Sequence, residues 1–343
     1  MKLNRVFNSF KNDAVQNTRT NIDKFTTAST PLLSRSTLKS RENSEILTTA
    51  RVPRITENHR DQSESSTTER DRRNTMLGWK VIQKRRKEHV AMMCQQYPEL
   101  SAERVKYNNL LVDDNYNILY CPAAKVASTN WRKVFLVLRG TFKNVSEIPG
   151  NRLVYRLNYP HLDSYTKSEI ELRMRTYTKF MFTRHPIPKL LSAYINKLGD
   201  SPQWVLLKKI RPWMTVVDKI NYASNKLSFS DFVNHILKTD SNQLNEHWGL
   251  ITNQCNPCNI DYDILGKFET LNEDSEGVLK AINASNIVDF SSYAPHRTNS
   301  SSIDVLVKYY SQLSKQQIEG LYSKYEIDFR LFDYNAAEFF NLS

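Results

Sequence analysis

The chain has 343 residues, with 48 Lys and Arg against 36 Asp and Glu for a formal charge of +12, and 40% of its residues are hydrophobic. This length and apolar content allow one large or two modest domains with a sizeable core, and only eight glycines exclude a collagen-like or glycine-rich chain. The longest aliphatic and aromatic run, residues 134–138, is far shorter than the ~20 apolar residues of a bilayer-crossing helix. Residues 1–30 hold no apolar signal-peptide core, so neither a span nor a secretory leader is expected within this sequence. The excess positive charge points to an acidic partner, and nucleic acid, anionic lipid, nucleotide phosphates and acidic polysaccharide all satisfy it. Four cysteines, Cys94, Cys121, Cys255 and Cys258, are too few for a small disulfide scaffold and permit two bridges in an oxidising compartment.

Residues 1–75 hold 21 Ser and Thr, three Phe and no Trp or Tyr. Such a segment cannot bury enough apolar area to offset its conformational entropy and is expected to be a disordered, Ser/Thr-rich basic stem. It carries +5 of the charge; residues 76–343, with all five Trp and all 17 Tyr, carry the other +7 and are the expected folded unit. Within it, residues 77–96 read as a helix with a basic stretch, Lys84-Arg85-Arg86-Lys87, ending at Tyr97-Pro98. The apolar run 117–121 before Pro122 fits a buried strand, and residues 130–138 are helical in character. A loop-rich region to about Pro160 precedes a polar helix at 168–175 and a second strand at 179–183. A helix follows from Pro188 to Leu198, with proline in its first turn. Residues 229–237, 264–268 and 314–325 read as helix, strand and helix. Alternating strands and helices predict an α/β fold with a mainly parallel central sheet flanked by helices.

Two segments carry chemistry. Cys121-Pro122-Ala123-Ala124-Lys125-Val126-Ala127-Ser128-Thr129-Asn130 is a strand end, a short loop and a helix start. Helix-terminal N–H groups, two hydroxyls and a lysine are what an anionic phosphate or sulfonate needs. The segment is not a Walker A loop, because G-x-x-x-x-G-K-[ST] is absent. It also fits an ordinary turn with Ser128 or Thr129 as the helix N-cap. The second segment, Arg184-His185-Pro186-Ile187-Pro188-Lys189-Leu190-Leu191-Ser192, again follows a strand and enters a helix. Ligands of open α/β sheets bind beyond the carboxyl ends of strands, so Arg184 and Lys125 can face one crevice, with Arg184 suited to bidentate phosphate binding. Alone, Arg184 equally fits a surface ion pair and Ser192 a helix-packing residue.

Together the two segments resemble the nucleotide-binding pair of the carbohydrate sulfotransferases that use 3'-phosphoadenylyl sulfate, the group of the Golgi chondroitin and dermatan 4-O-sulfotransferases and the HNK-1 sulfotransferase. The resemblance continues through His247-Trp248, Cys255-Asn256-Pro257-Cys258, Tyr262-Asp263, residues 266–271, Glu273-Asp274, residues 325–329 and Phe332-Asp333-Tyr334, and spans nearly all of 76–343. Ala124 stands where the family usually has proline and Ser128 where it has cysteine. The resemblance implies a P-loop-like sulfotransferase fold. It implies that Ala124 to Asn130 hold the 5'-phosphosulfate and that Arg184 to Ser192 hold the 3'-phosphate.

The reaction so implied moves SO3 in line to a sugar hydroxyl while charge builds on the leaving phosphate oxygen. Lys125 is the expected stabiliser of that oxygen. His247 is the expected general base, although a His beside a Trp also suits a structural hydrogen bond. Glu269 is a weaker base candidate. His185 is expected to shape the loop, and Arg297 reads as a solvated loop residue with a possible part in acceptor or donor binding. No metal is expected, since Cys255-x-x-Cys258 lacks a second Cys/His pair at zinc spacing; disulfide participation is expected, with pairing open. The implied acceptor is an anionic glycosaminoglycan or a glycoprotein glycan, first of all O4 of GalNAc in chondroitin, and not nucleic acid. Dermatan, an HNK-1-type terminal sugar, and a catalytically inactive glycan-binding protein of the same fold are the alternatives. The family also implies the Golgi lumen and a type II membrane anchor, for which no apolar segment is visible here. Sequons at Asn144, Asn283, Asn299 and Asn341 permit that route.

Overall fold

The computed structural model describes residues 61–157, 159–199, 227–290 and 299–337, with side chains from Met76 onward and Arg152 apart. The chain divides into two units, Met1–Asn58 and His59–Ser343, and every described residue lies in the second. Residues 1–60 of the expected stem therefore lie outside the described residues.

Helix α1 (Asp61–Gln96) begins well before the expected residue 77. Its first sixteen residues contain neither Gly nor Pro, so nothing in them breaks the helix that the following segment propagates. It ends, as expected, at Tyr97 before Pro98.

The strands β1 (Leu111–Asp113) and β2 (Ile118–Cys121) form a hairpin, closed by Asp113 Oδ1 accepting from the N–H groups of Asn115 and Tyr116. β1 is too short to announce itself in sequence. After α2 (Ser128–Leu138), α3 (Asn151–Arg156) and α4 (Lys167–Thr176), strand β3 (Thr178–Thr183) lies parallel to β2. Helices α5 (Pro186–Lys197), α6 (Phe229–Lys238) and α7 (Ile251–Cys255) precede β4 (Ile264–Lys267), which is parallel to β3. The chain then forms α8 (Leu271–Ala281), α9 (Ile303–Tyr310) and α10 (Lys315–Leu331).

The sheet order is β1-β2-β3-β4, parallel except at the β1 edge, and helices flank it, in agreement with the expected α/β class. A parallel sheet covered on both faces needs unbroken apolar strands. That explains Ile118-Leu119-Tyr120-Cys121 and Phe180-Met181-Phe182, all buried. Tyr120 stacks on Phe180 at 4.6 Å, and Trp131 of α2 sits 4.7 Å from Phe180, so the helix after β2 is pinned to the sheet by aromatic contact. A second apolar cluster joins α5, α6, α9 and α10 around Phe232, Trp248 and Tyr310.

Helix α1 is fastened by one carboxylate. Asp274, 1% exposed, accepts from Trp79 Nε1, Gln83 Nε2, Arg86, Thr270 Oγ1 and the Lys267 N–H. Gly277, within α8, lies against the Trp79 ring so closely that a Cβ there would overlap it. All four cysteines are bridged, Cys94 with Cys258 and Cys121 with Cys255. The CxxC pair thus splits between two partners, one on α1 and one at the end of β2.

Candidate active site

The site begins where β2 ends. Cys121 is tied to Cys255 of α7, and Pro122 takes the chain out of the sheet. Lys125 and Ala127 then adopt φ of 69° and 68°, left-handed values that disfavour any residue with a Cβ by about 1 kcal/mol or more. The two left-handed residues flank the buried Val126. The N–H groups of Val126, Ala127, Ser128 and Thr129 have no acceptor among the described residues. The N-cap of α2 is Ala127, with no side-chain cap, and no acidic residue lies in its first turn. Ser128 and Thr129 are therefore inside the helix rather than capping it, and the ordinary-turn reading fails. The positive end of α2 is left open to an anion.

Cys121 is in register with Met181, so the ends of β2 and β3 lie side by side and bring Arg184 to the same place. Its guanidinium donates to the Lys125 carbonyl at 3.1 Å and to Ser300 and Ser301 hydroxyls at 3.0 and 2.9 Å, and lies 4.0 Å over the Phe268 ring. Arg184 is 4% exposed, its Nε has no acceptor, and no carboxylate pairs with it among the described residues. Burial pushes its pKa down to about 10, against the pull of Glu269 and Tyr334. A buried cation without an ion-pair partner is strongly disfavoured unless an anion is brought to it. Unfilled N–H donors, this guanidinium and a nearby ammonium make a donor set that fits phosphate and sulfonate groups.

Lys125 Nζ donates to Asn196 Oδ1 at 2.6 Å. Burial, with the cations of Lys197, Arg184 and Lys189 nearby, pushes its pKa down to about 7. Beside it the loop carrying His247 is held from below, where buried Lys189 donates to the Gly249 carbonyl at 2.6 Å and Tyr325 OH to the Trp248 carbonyl. Asp328 fixes the next turn by accepting from the N–H groups of Ile251 and Thr252. His247 Nδ1 is buried without a partner among the described residues, and Nε2 lies 3.7 Å from Glu246 Oε1. Burial, then the charges of Lys197, Lys125 and Lys189, push the imidazole pKa down to about 3, so it is neutral at physiological pH.

These groups line one cleft of about 1610 Å³. It brings together Ala124, Lys125, Ala127, Ser128, Thr129, Asn130, Arg184, Ser192 and His247 of the expected set. Val126, Pro186, Ile187, Lys189, Leu190 and Leu191 are buried in packing, Pro188 is half-buried, and none of these lines the cleft. His185 is the N-cap of α5, lies edge-on to Phe329 and Tyr334, and does not line the cleft. Glu269 lines the cleft, but its oxygens accept from the His185 N–H and Tyr334 OH, which makes it a strut of that loop. Arg297 and Asn341 lie outside the described residues. Asn144 and Asn283 are exposed, whereas Asn299 lines the cleft.

Sequence reading missed Asn196, Lys197, Tyr155 and Ser300 to Ser302 in the cleft wall. Helical spacing places Asn196 one turn beyond Ser192 and could have found it. Nothing local could have placed Ser300, 116 positions from Arg184.

Residues 108–335 match the sulfotransferase family, more than half of the chain, and the chain belongs to that family. It is a sulfotransferase, an enzyme class whose donor is 3'-phosphoadenylyl sulfate, as the motifs led one to expect. Carbohydrate sulfotransferase 11 of Rattus norvegicus is 29% identical over 278 residues, covering 76% of this chain and 78% of that protein. Carbohydrate sulfotransferase 10 of Danio rerio is 30% identical over 291 residues, 77% and 78% of the two chains. Carbohydrate sulfotransferase 14 of Danio rerio is 33% identical over 235 residues, 66% and 62%. No solved structure matches the chain.

Proposed function

We propose that the chain transfers a sulfuryl group from 3'-phosphoadenylyl sulfate to a hydroxyl of a glycan, with O4 of GalNAc in chondroitin as the first acceptor. The observation that carries this is the buried, carboxylate-free Arg184 beside the open N–H array of residues 126–129. When bound, the donor supplies an activated sulfuryl group. The N–H groups of the 124–130 segment, with Ser128 and Thr129, hold the 5'-phosphosulfate, and Arg184 and Ser192 hold the 3'-phosphate. Lys125 directs its ammonium at the phosphate oxygen on which charge develops. His247 accepts the acceptor's proton; with Nδ1 buried, Nε2 is the nitrogen left to take it. A bound polyanion offsets the charges of Lys197, Lys125 and Lys189, which add to burial in depressing the imidazole pKa, and makes it a better base.

In this reading residues 76–343 are the catalytic unit, residues 1–75 a stem, and the compartment the Golgi lumen. Two disulfides support an oxidising compartment. No helix among the described residues is long and apolar enough to cross a membrane.

The test is to incubate the purified chain with radiolabelled donor and desulfated chondroitin, dermatan or a glucuronyl-terminated oligosaccharide. Label is expected in chondroitin GalNAc O4. Lys125→Ala and Arg184→Ala are each expected to lower transfer by about 10²-fold or more. Full activity in the double variant would overturn the site, and polymer binding without transfer would mark an inactive binding protein.

A further inference from the structure

The donor groups described above leave part of the cleft wall without a task. Lys133 lies on α2 one turn beyond Thr129, and Tyr155 and Arg156 lie at the end of α3; all three line the same cleft. Neither Lys133 nor Arg156 has an ion-pair or hydrogen-bond partner among the described residues. Tyr155 is 59% exposed, yet its ring is not free to swing. Its OH is 2.6 Å from Thr129 Oγ1, and the Arg132 guanidinium sits 5.6 Å from its ring centroid and 5.2 Å from that of buried Tyr159. The Tyr159 OH in turn donates to the Arg132 carbonyl. A fixed aromatic face flanked by two uncommitted cations, joined through Thr129 to the donor loop, has the chemistry of an acidic-sugar subsite. The ring stacks on the apolar face of a pyranose and the cations meet a carboxylate.

We propose that Lys133, Tyr155 and Arg156 form the acceptor-recognition wall, taking a hexuronate whose carboxylate lies next to the sugar that is sulfated. The proposal rests on the sulfotransferase reading of the cleft and adds the feature that selects its acceptor. Arg156 and Lys133 read the carboxylate; Tyr155 sets the plane of the sugar. Thr129 has two roles, one toward the donor and one as the anchor of Tyr155.

The experiment compares the full chain with Lys133→Gln/Arg156→Gln and with Tyr155→Ala. Each is first checked for an unchanged melting temperature and for unchanged affinity for 3'-phosphoadenosine 5'-phosphate by calorimetry. Equilibrium binding is then measured to desulfated chondroitin and to the same polymer with its carboxyl groups chemically reduced. The wild type is expected to bind the uronate polymer at least about tenfold tighter than the reduced one. The charge variant is expected to lose that preference and to bind both alike, while Tyr155→Ala weakens both polymers together. An undiminished preference in the charge variant, including one in which its binding to both polymers falls equally, overturns the proposal, as does unchanged binding of both polymers by Tyr155→Ala. The binding arm decides this whether or not label moves. Failure of the sulfotransferase reading would show separately, as intact polymer preference without sulfate transfer by the wild type.

Discussion

Lys125 carries two demands at once. It must be protonated to meet an anion, yet its surroundings, buried and crowded by Lys197, Arg184 and Lys189, hold its pKa at about 7 before any anion arrives. On the proposed function the donor binds the protonated form, so affinity is expected to be highest below about 7 and to fall as pH rises through that value. Calorimetric titration with 3'-phosphoadenosine 5'-phosphate should show this decline in the wild type, and Lys125→Arg, whose guanidinium keeps its charge, should flatten it. The same decline in the Arg variant would assign the titration to another group. His247 poses the reverse case, an imidazole held neutral first by burial and then by the charges of Lys197, Lys125 and Lys189. His247→Asn is expected to lower kcat by about 10²-fold or more with donor affinity unchanged, whereas an equal loss in donor affinity would make the residue part of the binding surface instead.

At the scale of elements, several motifs that mark the family prove to be architectural. Asp274 gathers donors from α1, β4 and the turn before α8, Asp328 caps α7, and Asp263 accepts from the Lys179 N–H at the start of β3. Each is a carboxylate placed where backbone donors would otherwise be buried without partners. Asp274→Ala leaves Arg86 without its carboxylate and Gln83 Nε2 and Trp79 Nε1 without their acceptor, and is expected to destabilise the fold by roughly 3–5 kcal/mol, because breaking a buried pair strands the remaining charge. Denaturant unfolding followed by tryptophan fluorescence measures it; a loss under about 1 kcal/mol would show that α1 is held mainly by its apolar contacts. The loop between β2 and α2 depends on neighbouring elements in the same way: β2 and the Cys121–Cys255 bridge to α7 hold its start, and Trp131 packed on Phe180 holds the helix at its end, with Lys125 and Ala127 in left-handed backbone between them.

For the whole molecule the two bridges matter most, because they close segments separated by 164 and 134 positions. Each is expected to contribute roughly 2–4 kcal/mol by restricting the unfolded chain. Reduction should therefore lower the melting temperature by about 10 °C or more. Differential scanning calorimetry with and without reductant tests this, and an unchanged transition would show that packing alone sustains the fold. Electrostatics also belong to this scale: Lys125 comes from the loop after β2 and Arg184, Lys189 and Lys197 from the stretch after β3, and their mutual repulsion is relieved when an anion is bound.

The sequence by itself determined the parallel α/β plan, because strands buried on both faces must be apolar without a break, and singled out the two candidate segments, because each is a contiguous strand, loop and helix start. It also allowed Lys125 and Arg184 to face one crevice, since parallel strands place their carboxyl ends together, but left Arg184 open as a surface ion pair and Ser192 as a packing residue. Only the tertiary structure decided the cysteine pairing, which four cysteines leave open among three connectivities. It alone decided that Lys189 supports the His247 loop from within the core, and that Ser300 and Ser301 hold Arg184. It also placed Tyr155, from a stretch that reads as loop, against Thr129. The physical reason is range. Periodicity, capping and turn chemistry act over a few residues and are written locally, whereas a hydrogen bond between positions 116 apart exists only after the core has brought them together.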